Sequence, residues 1–595
     1  VQPTDIQDPE YFHKVVDCQY ACPAHTPVPE YIRLIAAGRY ADAYMVNWES
    51  NVFPGILGRT CDRPCEPACR RGRLDQAEEP VAICRLKRVA ADNKGDVAAR
   101  MPQAAAHSNG KKIALVGGGP ASLTVARDLA PLGYEIHLYD EWHKAGGMMR
   151  TQIPAFRLPE SVLDEETGYI LNMGIHTHFN HYVSSLRDLL NQNYDAVFVG
   201  TGAPKGRDLQ LPGRQEGAKN IHIGIQFLAN VAFEHLHSIG KKVIVLGGGN
   251  TAMDCCRTAR RLGGEQVSVV VRSPFNTMKA SPWEIEDAQR EDIPIYNNMP
   301  PKEFVVEDGR LRGVVFEKVR AVTDERGRRQ LVPTGEPDVF MEADDVIIAV
   351  GQDNAFPWIE RDLGIAFGQW DLPVLDRMTF QSSLPHVFFG GDAAFGPENV
   401  ITAVAHGHQA AISIHLFCRG LDLVTDRPAP TTNLIRQKMG IHEWIYDSDV
   451  VDDDRYAVPH EEKTLSLSNR KVEVELGFDL QTAFKEAQRC LNCDVQTVFN
   501  TQRCIECDAC VDICPTSCIT FTFDGEEEEV RQRLTVPANN PGQALYVSTP
   551  LPTARVMIKD EDVCLHCGLC AERCPTAAWD MQKYLYNTTK ASSLL

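Results

Sequence analysis

Two runs in this sequence, Cys504-x2-Cys507-x2-Cys510-x3-Cys514-Pro515 and Cys564-x2-Cys567-x2-Cys570-x3-Cys574-Pro575, constrain its folding more than any other feature. Thiolates at this spacing close around [4Fe-4S] cubanes, and in the two-cluster arrangement the fourth cysteine of each run crosses to the other cluster. The expected ligand sets are therefore Cys504, Cys507, Cys510 and Cys574 for one cluster, and Cys564, Cys567, Cys570 and Cys514 for the other. A pair of zinc sites is the competing reading, but tetrahedral zinc needs no crossed fourth cysteine. The chain moves electrons.

The remaining composition narrows the class. A chain of 595 residues suggests about four domains at ~150 residues each. Twenty cysteines, grouped at metal-ligand spacings in a large chain without a secretory pattern, indicate ligands kept reduced rather than disulfides. No apolar stretch approaches the ~18 residues that span a bilayer, and no charged-then-apolar signal is present. The expectation is a soluble, cytoplasmic protein without membrane insertion. A net charge of −20 argues against nucleic acid, which is bound through a surplus of lysine and arginine.

Two strand–turn–helix units occupy the middle of the chain. An apolar run at 111–116 leads into Gly117, Gly118, Gly119, Pro120, Ala121 and Ser122, then a helical pattern. Glycines at 117 and 119 let the backbone approach a pyrophosphate at the helix N-terminus, where unpaired N–H groups favour anions. Ser122 stands where glycine or alanine is usual, and Asp140 ends the next strand at the distance where an acid holds a ribose hydroxyl. A second unit follows at 242–246, then Gly247, Gly248, Gly249, Asn250, Thr251 and Ala252. Two units imply two dinucleotides.

With these motifs the chain, from about residue 15 to 420, resembles the small (β) subunit of bacterial glutamate synthase and the corresponding part of dihydropyrimidine dehydrogenase. The resemblance implies FAD on the first fingerprint and NAD(P)H on the second. It also implies flavin contacts at Gly146-Gly147-Met148, at Thr201 and Gly202 in the DAVFVGTG segment, at Gly391 and Asp392, and at the helix beginning near Asn399 and Val400. The second fingerprint is followed by a strand ending in Arg272-Ser273, with Lys279 seven residues beyond and no acid for the ribose of NADH. Relatives that use NADPH often carry two basic residues here, so this 2′-phosphate site reads as depleted and the sequence leans slightly to NADH.

The first hundred residues hold Cys18, Cys22, Cys61, Cys65, Cys69 and Cys84 in helical patterns, two short of filling two cubanes. In the family the missing pair comes from an R-C-L-x-C motif ahead of the Cys18 equivalent. Here that motif lies far downstream, as Arg489-Cys490-Leu491-Asn492-Cys493. The resemblance groups Cys490, Cys493, Cys18 and Cys69 as one cluster, and Cys22, Cys61 and Cys65, with Cys84 as fourth, as the other. A thioredoxin-like dithiol is the competing reading of Cys490 and Cys493. Cys255, Cys256, Cys418 and Cys518 read as buried structural thiols.

The expected architecture is multidomain α/β. A helical double-cluster domain covers 1–108, an FAD-binding domain 109–222 and 350–424, and an NAD(P)-binding domain 223–349 inserted between its halves. A linker follows at 425–488, containing the acidic run at 449–455, then a ferredoxin-like α+β module with two clusters at 489–595. The module's long spacer, 519–563, carries Glu526 to Glu529 and Asn539-Asn540-Pro541 and could be a docking arm. No catalytic side chain is required beyond the cofactors: hydride passes between nicotinamide and flavin, and electrons pass on to four [4Fe-4S] clusters. The leading reading is an electron-transfer subunit serving a partner enzyme of the 2-oxoacid:ferredoxin oxidoreductase or dissimilatory sulfite reductase type through the tail; a homodimer is compatible with it. The alternatives are a glutamate synthase small subunit, a flavin-based bifurcating subunit and a redox-sensing scaffold.

Overall fold

In the computed structural model, which describes residues 2–594 except 7, 9, 10, 12–14, 74–78, 324–327, 436–450, 452, 524–526 and 539–541, the chain divides into two compact units that do not follow its order. One comprises Val1–Arg100, Pro428–Pro459 and Gly477–Leu595; the other comprises Met101–Arg427 and His460–Leu476.

The second unit is doubly wound. Short, almost wholly apolar strands such as KIALV and KVIVL suit sheets covered on both faces. Strands β1 (Lys112–Val116), β2 (Glu135–Tyr139), β3 (His176–His178) and β4 (Ala196–Val199) join Val387–Phe389 in a parallel sheet ordered Val387–Phe389, β4, β1, β2, β3. A second parallel sheet runs Ile221–Ile223, Asp345–Ile348, Lys242–Leu246, Gln266–Val270, Ile295–Tyr296. Its outer strand, with Ile221 and Ile223 opposite Val346 and Ile348, begins just before the boundary expected at 223. The relative setting of the two sheets is held by Arg157, which donates to both carboxylate oxygens of Asp254 at 2.7 and 2.8 Å and also pairs with Glu284.

The first unit combines the chain's two ends. Helices Val28–Ala36, Tyr40–Asn51, Pro54–Thr60 and Ile83–Asp92 form its N-terminal part. Its C-terminal part holds two antiparallel sheets, Thr431–Ile435 / Trp579–Asn587 / Val495–Phe499 and Ile519–Thr522 / Val556–Lys559 / Tyr546–Val547. These parts share one core, in which Phe478, Ala483, Ala487 and Tyr584 pack with Tyr31, Ile32 and Ile35. The ferredoxin-like tail thus packs on the N-terminal helices within one unit.

The stretch expected as a linker is likewise divided. Residues 431–435 are an edge strand of the tail's sheet, His460–Leu476 belong to the second unit, and helix Leu480–Gln488 packs into the N-terminal core. Most of the acidic run is described only from Val451, with 449, 450 and 452 outside the described residues; the Asp453 carbonyl accepts from Arg489 Nε at 2.9 Å. In the spacer, Glu526 and residues 539–541 lie outside the described residues. Among the described residues no helix is long and apolar enough to cross a membrane.

Candidate electron-transfer site

Thiols converge on three cavities of the first unit. One is lined by Cys18, Cys69, Cys490 and Cys493. Another is lined by Cys504, Cys507, Cys510 and Cys574, and a third by Cys514, Cys518, Cys564, Cys567 and Cys570. The fourth cysteine of each run therefore faces the cavity of the other run. A fourth group needs no separate pocket: the Cys84 thiol is in hydrogen-bond reach of Cys61 and Cys65, and Lys87 lies within electrostatic reach of these three and of Cys22. Each group offers at least the four thiols a cubane requires, from segments far apart in sequence, and the third cavity has Cys518 as a fifth.

The displaced R-C-L-x-C segment is fixed by its own neighbours. Arg489 is fully buried and donates to the carbonyls of Glu79 and Pro80 at 3.0 and 3.2 Å and to Glu486 at 3.0 Å. Glu486 in turn accepts from the Ala82 and Tyr456 N–H groups. Just beyond, Asp494 takes a bidentate contact from Arg33 at 2.6 and 2.5 Å. Buried charges are tolerated when paired and hydrogen-bonded in this way, and the pairing brings Cys490 and Cys493 against the first helices.

The first fingerprint is a turn shaped by backbone contact. Gly117 has φ +93°, and a Cβ there would lie 2.6 Å from the Gly200 carbonyl oxygen; a Cβ on Gly147, at φ +52°, would lie 2.8 Å from the Gly119 Cα. Only glycine meets both demands. Helix Pro120–Leu129 starts at this turn, with Ala121 and Ser122 buried. Ser122 fills the space in front of Gly200, which accounts for serine in that position. Among the described residues the buried Ser122 and Thr201 hydroxyl oxygens have no hydrogen-bond partner, which fits polar groups that would meet a ligand in the cradle. Around it stand Gly146, with φ +134°, Met148 opening a short helix, Gly202 and Gly391, both at positive φ, and Asn399, which caps helix Val400–Cys418 by accepting from the Thr402 N–H at 2.9 Å.

Two acids flank this cradle. Asp140 accepts from the Gly118 and Trp142 N–H groups, and burial raises its pKa. Asp392 is pushed up to about 6 by burial, with Glu398 adding repulsion. His408 is bonded to Asp128 at 2.6 Å and His406 rests on Phe380 and Phe395, so both histidines are packing residues.

At the second fingerprint a Cβ on Gly247 would approach the Ala349 carbonyl oxygen to 2.1 Å. Helix Asn250–Arg261 follows, with Ala252 buried against the sheet. The loop from Arg272 is drawn back onto the turn: the Lys279 and Ala280 N–H groups both donate to the Gly248 carbonyl at 3.0 Å, and Asn250 Oδ1 accepts from the Ser281 N–H at 2.8 Å. Gly249 and Thr251 complete the turn, Ser273 is held by Asn297 and Asn298 through its carbonyl, and Arg272 and Lys279 have exposed side chains.

Comparison with known proteins agrees with this arrangement. Residues 111–407 match the pyridine nucleotide-disulphide oxidoreductase family, 13–98 the 4Fe-4S domain II of dihydropyrimidine dehydrogenase, and 503–578 the 4Fe-4S dicluster domain. The chain is 34% identical to the NADP(+)-dependent formate dehydrogenase subunit beta of Moorella thermoacetica, over 80% of this chain and 70% of that protein. It is 31% identical to the NADPH-Fe(3+) oxidoreductase subunit beta of Geobacter sulfurreducens (82% and 77%) and 32% identical to the glutamate synthase [NADPH] small chain of Azospirillum brasilense (68% and 86%). The chain belongs to the glutamate synthase small-chain-like family of iron–sulfur flavoprotein oxidoreductases. It is an NAD(P)H-dependent electron-transfer oxidoreductase that uses FAD and [4Fe-4S] clusters.

Two residues of this family member escape the sequence reading. Cys518, expected to be a structural thiol, faces the same cavity as Cys514 and Cys564, with its Sγ 3.5 Å from that of Cys514. The signal was present in the repeat, since the second run has Ala578 at the same offset. Arg70 is the other. Next to Cys69 in the chain, it lines the first cavity and also donates to the Cys564 carbonyl at 2.7 Å and the Glu561 carbonyl at 2.6 Å, with His566 Nε2 2.9 Å away. Nothing local in the sequence marks it.

Proposed function

We propose that the chain is the NADPH-reactive subunit of a larger redox enzyme, with the cavity of Cys504, Cys507, Cys510 and Cys574 as the port to its partner. The observation that carries this is the exposure of that cavity: of the residues that line it, Cys507 is exposed and Ile505 is 61% exposed. Apolar side chains open to solvent around a redox centre are the mark of a docking surface. The names of the relatives, two β subunits and a small chain, support service to another polypeptide.

Bound flavin would accept hydride from nicotinamide and release electrons singly to clusters. The protein's part is placement. The Gly117 and Gly247 turns admit the two pyrophosphates, Arg157 sets one nucleotide domain on the other, and the thiol groups hold four clusters: Cys18, Cys69, Cys490 and Cys493; Cys22, Cys61, Cys65 and Cys84; and the two crossed ferredoxin sets. Arg70 lies between the first of these and the Cys564 set, giving a covalent and hydrogen-bonded route from Cys69 to Cys564. Arg272 and Lys279, exposed beside the second fingerprint, suit a 2′-phosphate, and the relatives named for NADP(H) favour NADPH over the NADH to which the sequence leans.

A partner of the 2-oxoacid:ferredoxin oxidoreductase or dissimilatory sulfite reductase type fits an acceptor reached through the tail. The glutamate synthase reading is the second choice, because that relative matches only 68% of this chain. The test is co-purification of the untagged chain under anaerobic conditions, combined with rapid mixing with NADPH. The reading expects the flavin to bleach, a second polypeptide to co-elute, and Ile505→Glu to release it. A flavin that neither nicotinamide reduces would end the enzyme mechanism; a chain that elutes alone would end the subunit assignment.

A further inference from the structure

One cluster of metal-binding side chains includes no thiol and no residue of either glycine fingerprint. It sits on the free edge of the flavin-domain sheet. There β2 and β3 run parallel, with His137 opposite His176 and Tyr139 opposite His178. Alternation along a strand puts Glu135, His137 and Tyr139 on one face of β2, and His176 and His178 on the same face of β3. The rings are in contact: His137 and His176 stack with centroids 4.8 Å apart, His137 and His178 at 5.3 Å, and Tyr139 and His178 at 4.4 Å.

The polar atoms are ordered as well. His137 Nε2 is 2.9 Å from Glu135 Oε1, and His137 Nδ1 is 3.0 Å from His178 Nε2. One ligand atom from each of Glu135, His137 and His176 lies within 4.8 Å of the other two. Strands seldom gather imidazoles in this way for packing, since each ring carries two polar nitrogens and gains little from burial.

We infer that Glu135, His137 and His176 form a site for one divalent cation of the zinc class. Two imidazole nitrogens and a carboxylate oxygen are three of the four ligands tetrahedral zinc takes, leaving water in the fourth place. His178 has the supporting role: when His137 donates its Nδ1–H to His178 Nε2, the His137 Nε2 lone pair is left facing Glu135 and the cation, the tautomer selection that metal-ligating histidines require. His176 is exposed, so the entry path is open. Lys112 pairs with Glu135 at 3.1 Å, but its side chain is 47% exposed and can turn to solvent when a cation arrives. The bound ion would tie β3 to β2 where the same backbone holds the flavin-site acid: the Asp140 N–H donates to the His178 carbonyl at 3.1 Å, and the His181 N–H to the Asp140 carbonyl at 2.9 Å.

The test compares zinc and iron bound per chain, by elemental analysis, after anaerobic dialysis of holoenzyme against buffered Zn(II). The His137→Gln/His176→Gln protein shares every thiol with the wild type, so adventitious zinc on cysteines cancels in the difference. The wild type should hold one more zinc per chain, with iron and flavin equal in the two. Zinc should also slow hydrogen exchange at 176–181 in the wild type alone. Glu135→Gln, at the start of the strand and without loss of either imidazole, should weaken zinc binding about tenfold, which keeps the test decisive if the double variant loses its flavin. Equal zinc in the wild type and the folded double variant, or equal zinc affinity in the wild type and Glu135→Gln, overturns the site.

Discussion

The two ferredoxin cavities are built on one repeated backbone and differ in what surrounds them. Glu506 and His566 occupy equivalent places at φ 55° and 53°, Asp508 and Gly568 at 56° and 74°, and Ser517 and Ala577 at 53° and 52°. Short helices Ala509–Ile513 and Leu569–Arg573 follow at the same offset. The settings then diverge. Around Cys564, Arg70 donates to its carbonyl, Lys559 lies within electrostatic reach and is buried beside Glu561, and His566 is 1% exposed. The Cys504 cavity has Ile505 and Cys507 in solvent and is bordered by Glu506, Arg555 and Asp508. Repeated sequence fixes where thiols converge, whereas charge, hydrogen bonding and exposure set the potential of a cluster held there. An inner site with buried cations and donors beside it should sit at higher potential than an outer site open to water.

The largest effect should separate the sites by their spare thiol. Cys574→Ser removes a ligand from the outer cavity, whose lining offers no cysteine beyond the four of the ligand set, and iron should fall from ~16 to ~12 per chain. Cys514→Ser removes the equivalent ligand from the inner cavity, where Cys518 stands ready, and iron should stay near ~16. Equal losses in the two variants would show that Cys518 cannot serve and that the cavities are alike.

Next in size is the contrast between the arginines. Arg70 is buried and donates to Val15, Glu561, Cys564 and Asp17 at 2.8, 2.6, 2.7 and 3.0 Å. Removing one member of a buried charge network costs about 3–5 kcal/mol, and Arg70→Gln should lower stability by that order in anaerobic denaturant titrations read through cluster absorbance. Arg555, with its Glu506 contact nearer the surface, should cost about 1 kcal/mol or less as Arg555→Gln. Similar losses would mean that the outer site is as enclosed as the inner one.

The legible parts of this molecule are those written as local spacing. Each cysteine run and each glycine turn is a short segment whose backbone fixes its own geometry, so the sheets, their order of appearance and the crossed fourth cysteines follow from the sequence. The downstream Arg489 to Cys493 segment was legible through a count of thiols. What could not be read is long-range complementarity. Arg70 finds its acceptors about 490 positions away, and Thr431–Ile435 becomes a strand only because Lys583 to Asn587 offers it an edge. The packing of the tail on the N-terminal helices has the same origin, since Tyr584 enters a core whose other members are spread through the first hundred residues and the helix after Phe478. The 2-His, one-carboxylate edge was equally hidden, because it depends on the register of two strands.

The smallest effect tests the spare thiol where no ligand is lost. The Cys518 Sγ lies 3.5 Å from that of Cys514, and its S–H is in hydrogen-bond reach of Cys514 and Cys564; both of these thiols are lowered to about 5, chiefly by that contact. A donor to a cluster's thiolates favours the reduced, more negatively charged state and so raises the potential. If the bond is worth ~0.5–1.5 kcal/mol, its loss corresponds to roughly 20–60 mV for one electron. Cys518→Ala should therefore lower the inner potential by that amount, while the outer potential stays fixed and the iron content is unchanged. Cys518→Ser, which keeps a donor, should recover much of the shift. Redox titration followed by electron paramagnetic resonance resolves the two clusters, and equal movement of both would trace the effect to the shared fold rather than to the one thiol by which the two cavities differ.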